Sequence, residues 1–127
     1  MGREDRVVGD REKALKAAEV AVGIDREQAM SNPAFVPDLA NSLGVLGSVR
    51  IQENDLQAAS EHFREGLAVL LPALLANPQA LRPMADRLAE LYFATLQELG
   101  QDPDSELMAA YAAAFADAPI GECSPAP

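Results

Sequence analysis

The side chains that could do chemistry in this chain are few and scattered. His62 is the single histidine, so neither a metal cluster nor a nucleophile–base pair can be built from two imidazoles. It stands beside Phe63 and reads as a surface or half-buried helix residue. Cys123 is the single cysteine. It has no basic neighbour to stabilise a thiolate and no second thiol to pair with. Asp102, Asp104 and Glu106 alternate as the first ligands of a calcium loop do, but Leu107 stands where such a loop needs glycine, and no glutamate closes it. Helix capping accounts for them better. Glu61 and Glu65 lie one turn apart with Arg64 between them, the pattern of a solvated helix face. The glycines form neither a phosphate loop nor a dinucleotide fingerprint. The sequence therefore predicts a non-enzymatic protein with no metal and no cofactor.

The elements that must carry these residues are helical. Ala and Leu dominate, aromatics make up 5% of the 127 residues, and Trp is absent. The 49% hydrophobic content suffices for the core of one domain. A net charge of −10 argues against nucleic acid and against an anionic membrane surface. The charge is uneven. Arg3, Arg6, Arg11, Lys13, Lys16 and Arg26 all precede Asn32, and nothing after Arg87 is basic. The acidic C-terminal third would complement a basic partner, although solubility alone also explains it. No run approaches the roughly 18 apolar residues of a membrane span, and the N-terminus lacks the apolar stretch of a signal peptide. Gly2 is followed by Arg6 where a myristoylation signal needs Ser or Thr, and Cys123 lies one residue too far from the end for prenylation. A cytoplasmic protein is expected.

Self-similarity organises the rest. Gly9-Asp10, Ala14, Ala18, Ala21, Val22 and Asn32-Pro33 recur 45 residues later as Asn54-Asp55, Ala59, Phe63, Gly66, Leu67 and Asn77-Pro78. A fainter third copy places Leu88 and Leu91 45 residues after Leu43 and Leu46, and Gly100 46 after Asn54. Its register is fixed to within one residue. Five helices follow. The first runs from Asp10, as N-cap, to about Ser31. The second runs from Pro37 to about Glu53, and the third from Asp55 to about Ala76 with a kink at Pro72. The fourth runs from Pro83 to Leu99, stopped by Gly100, and the fifth from Pro103 to about Ala118. Residues 1–118 form one helical domain and 119–127 a disordered tail. The central pair, Ala40 to Leu71, has small residues Gly47, Ala59 and Gly66 where two helices must touch. Gly66 inside a helix costs about 1 kcal/mol relative to alanine, which close approach of a neighbour would explain.

The order Leu43, Leu46-Gly47, Ala59, Phe63, Gly66 resembles the tetratricopeptide repeat. It covers a full repeat at residues 40–73, the second helix of a preceding repeat at Asp10–Ile24, and a weak copy at Pro83–Ala116. The period near 45 is similar to the longer members in kinesin light chains and bacterial regulatory arrays. Arg50 departs from the pattern, standing where the family has an apolar residue, as do Tyr92 and Phe93 where a small one is expected. The resemblance implies an all-α, right-handed solenoid of antiparallel helix pairs, about two and a half repeats long. It also implies a concave groove for a peptide or protein segment, lined by the first helix of each pair. The groove positions would be Asn41, Gly44, Ser48, Ile51 and Gln52, then Arg87, Glu90, Ala94, Gln97 and Glu98. No lysine lies in either helix, so the family's clamp for a C-terminal carboxylate is not expected. The alternative is a structural or docking role as the terminal piece of a longer array. In that case the apolar face of the Asp10–Ser31 helix, with Leu15, Val22 and neighbouring alanines, would need cover from an upstream segment or from another copy in a homo-oligomer, because nine preceding residues cannot form its partner.

Overall fold

The turn at Asn54-Asp55 shows how the sequence sets the architecture. Asn54 has φ 64°, the left-handed conformation that asparagine tolerates better than most residues. In that conformation the Asn54 N–H reaches the Ile51 carbonyl at 2.8 Å and the Asp55 N–H the Arg50 carbonyl at 2.9 Å, satisfying the last carbonyls of one helix. Asp55 then starts the next helix, its carboxylate accepting from the Ala58 N–H at 3.2 Å. Gly100 repeats the arrangement at φ 68°, with Gly100 N–H on Gln97 and Gln101 N–H on Leu96.

The computed structural model describes residues 2–117. Among them the fold is all-α: α1 Gly2–Ser31, a short 3-10 turn Pro33–Phe35, α2 Val36–Gln52, α3 Leu56–Ala76, α4 Pro78–Leu99 and α5 Ser105–Asp117. Each of α1 to α3 packs on its successor, and α5 lies against α3. The connections from α1 to α4 are so short, Asn77 alone joining α3 to α4, that each helix must return beside the last.

Three helix starts differ from the sequence expectation by two residues or more. α1 begins at Gly2, so Asp10 is an interior residue and not its N-cap. The stretch before Asp10 contains no proline, and Gly9 weakens a helix without stopping it. α4 begins at Pro78, five residues before Pro83, which sits inside the helix. Proline at the first helical position lacks only an N–H that would be unbonded there in any case. α5 begins at Ser105 and not at Pro103, because Asp104 is its cap: the Asp104 carboxylate accepts from the Leu107 N–H at 3.1 Å. The Tyr92 hydroxyl accepts from the Asp104 N–H at 2.9 Å and holds that cap in place. Gln101, Asp102 and Pro103 are thus extra residues relative to the Asn54-Asp55 turn, which blurs the third copy. The tail at 119–127, with Cys123, lies outside the described residues.

The core has two parts. Ala18 and Val22 of α1 meet Leu39, Leu43, Leu46 and Val49 of α2. Phe63, Leu67, Leu70 and Leu74 of α3 meet Leu88, Tyr92 and Leu96 of α4 and Leu107 and Tyr111 of α5. Full burial of such a side chain stabilises by about 1.5–3 kcal/mol. Polar ties add to these contacts. Arg50 of α2 reaches Glu19 of α1 at 3.4 Å and Glu53 at 3.2 Å. Arg26 of α1 reaches Glu65 of α3 at 2.5 Å, and Ser42 donates to Asp25. Arg50 therefore replaces apolar packing with a clamp between α1 and α2. Glu65 is paired, so only Glu61 keeps the solvated role expected for both.

The small residues do not contribute alike. A Cβ on Gly47 would come within 2.5 Å of Phe63 Cε1, so α2 and α3 meet there only because Gly47 has no side chain. At Gly66 the nearest atom to such a Cβ would be Leu88 Cδ1 at 3.4 Å, an ordinary contact. Neighbouring helices come close at both glycines, and of the two only Gly47 requires the absence of a side chain.

The face of α1 expected to need cover is already covered. Ala18 and Val22 are buried by α2 and Leu15 packs against the same cluster. The residues preceding Asp10 extend α1 instead of forming a partner for it.

Candidate functional site

Helices α2 and α4 are brought side by side by α3, which packs on both. Between them lies a cavity of about 470 Å³. Asn41, Gly44, Ser48 and Gln52 line it from α2 and Arg87 from α4, so five of the ten groove positions are gathered in one place. Gly44 is what admits α4: Leu88 Cδ2 lies 3.0 Å from where a Cβ on Gly44 would be.

The other five positions lie outside. Ile51 is exposed and sits at the edge of the α2 lining stripe, roughly a quarter-turn from its centre at about 100° per residue. On α4 the lining ends at Leu91. Ala94, Gln97 and Glu98 are exposed further along the helix, and Glu90 is exposed beside Leu91.

What sequence reasoning missed is the floor. Val45, Val49, Pro83, Met84, Leu88 and Leu91 complete the lining, so an apolar surface is rimmed by the amides of Asn41 and Gln52, a hydroxyl and one guanidinium. Val45 and Val49 share the helical stripe of Asn41, Ser48 and Gln52, and that spacing was the available signal. Val45 is half exposed, at 49%, so the core does not claim it. Arg87 makes no ion pair among the described residues.

The remaining candidates stand apart. His62 is half-buried on α3. Its pKa is lowered, first by burial and then by the positive charge of Arg50, with Glu65, Glu61 and Asp55 opposing. The imidazole is thereby held neutral at pH 7. Neither His62 Nε2 nor Arg50 Nε has a hydrogen-bond partner among the described residues. Asp102 and Asp104 border a second, polar cavity of about 300 Å³ with Gln57, Glu61 and Arg64. No group of histidine, cysteine or carboxylate side chains suited to a metal ion occurs among the described residues. A third cavity of about 170 Å³, lined by Leu67, Phe93, Met108 and Tyr111, is apolar and lies where α5 meets α3 and α4. No helix among the described residues is long and apolar enough to cross a membrane.

No protein-family model matches the chain, and neither a curated protein nor a solved structure matches it.

Proposed function

We propose that this chain is a non-enzymatic adaptor that binds a peptide or protein segment in the groove between α2 and α4, in the manner of the tetratricopeptide repeats its central helix pair resembles. The observation that carries this is the composition of the groove: a continuous apolar floor from Val45, Val49, Met84, Leu88 and Leu91, with Asn41, Ser48, Gln52 and the Arg87 guanidinium at its rim. Such a surface gives apolar side chains a place to be buried and gives peptide amides and carbonyls polar partners that fix their orientation. The net charge of −10 favours a segment that is neutral or basic overall.

Selection of peptides from a displayed library against the purified protein tests this. The selected sequences should bind the parent and lose at least ten-fold in affinity on Val45→Arg, which places a bulky charge on the groove floor at a half-exposed site, with folding checked by circular dichroism. Failure to enrich any sequence, or binding indifferent to Val45→Arg, would refute it.

A further inference from the structure

The outer face of α1, opposite the face buried by Ala18 and Val22, has features that nothing among the described residues explains. Val20 and Ile24 are 52% and 53% exposed although both are large and apolar. Gly23 lies between them in the middle of a 30-residue helix, and a Cβ there would meet nothing within 4 Å. A glycine in a helix interior is unfavourable, and here no contact among the described residues requires it. Lys16 and Glu27 occupy the two ends of the same strip, both exposed and neither in an ion pair among the described residues.

We propose that this strip docks antiparallel on the same strip of a second copy, about a two-fold axis that passes between Val20 and Gly23. The charges select that occupant. Lys16 and Glu27 stand at equal distances on either side of position 21.5, midway between them, so the axis sets Lys16 of each copy against Glu27 of the other. The same operation lays Val20 of one copy over Gly23 of the other, a large residue over an absent side chain, with the two Ile24 side chains flanking it. A self-complementary patch of this kind is what an isologous interface requires. Six of the ten basic residues precede Asn32, so α1 is also where two chains of charge −10 approach with least repulsion. The contact is short, and the dimer is a weak one.

Sedimentation equilibrium of the full chain, from low micromolar to near-millimolar concentration and at low ionic strength, tests it. A monomer–dimer equilibrium that stops at the dimer is expected. Val20→Glu and Ile24→Glu, each on an exposed site with folding checked by circular dichroism, should each weaken it at least ten-fold. Lys16→Glu alone should weaken it about ten-fold, and the double change Lys16→Glu with Glu27→Lys should return it to within a few-fold of the parent. A parent that stays monomeric throughout would overturn the proposal, as would association that grows beyond the dimer, the mark of head-to-tail stacking. So would a double variant no better than Lys16→Glu.

Discussion

Gly47 lies under the ring of Phe63, so close that a Cβ would stand 2.5 Å from Cε1 and 2.8 Å from Cζ. Phe63 is fully buried and cannot swing aside without displacing the centre of α3. Gly47→Ala should therefore destabilise the protein by about 1–3 kcal/mol through overpacking. Gly66→Ala should do the opposite. Its Cβ fits at ordinary contact distance, and removing a glycine from a helix interior stabilises by up to about 1 kcal/mol. Urea unfolding of both variants checks the pair, and equal losses at the two sites would contradict the packing described.

Tyr111 ties α5 to α3 by donating its hydroxyl to the Leu67 carbonyl at 2.6 Å, and its burial pushes the phenol up from 10.0 to about 12. Since the folded protein holds this proton more tightly than the unfolded chain, the associated stability is complete below about pH 10 and is lost as pH rises towards 12. Tyr111→Phe should cost about 0.5–1.5 kcal/mol at neutral pH. It should also flatten the fall in stability between these two values. Thermal unfolding across the alkaline range, parent against variant, reads both effects.

His62 gives the opposite dependence at the acid end. Burial and the neighbouring Arg50 lower its pKa from 6.5, so the unfolded chain takes up this proton before the folded one does. Its contribution is complete above about pH 6.5 and is lost as pH falls through the lower, folded value. His62→Gln keeps a polar side chain without the titration. Stability of the variant should vary less than that of the parent as pH falls below 6.5, and parallel curves would show that His62 is solvated.

Much of the scaffold was legible because its signals are local. Asn54 and Gly100 both end helices in the left-handed conformation, and their 46-residue separation in the sequence marks the structural repeat. Pro83 misled because a proline is acceptable in the first turn and also, with the loss of a bond, further in. Only the continuation of α4 back to Pro78 decides between them. Five of the ten positions read from the repeat pattern line one cavity. The floor was not legible in that pattern, since Val45 and Leu88 are core-type residues on sequence grounds. Their joint exposure to one cavity depends on how closely Gly44 lets α4 approach α2. The same limit applies to α1. Leu15, Val20, Val22 and Ile24 are all apolar, and packing against α2 determines which of them are covered.

The groove itself is tested most directly by nuclear magnetic resonance. Backbone amide shifts of the labelled protein would be followed during titration with a peptide selected by display. Shifts concentrated on Asn41, Gly44, Val45, Ser48, Arg87 and Leu91, growing to saturation and absent in Val45→Arg, are expected. Saturating shifts centred elsewhere, on the outer face of α1 or around Phe93 and Met108, would contradict the groove as the binding site.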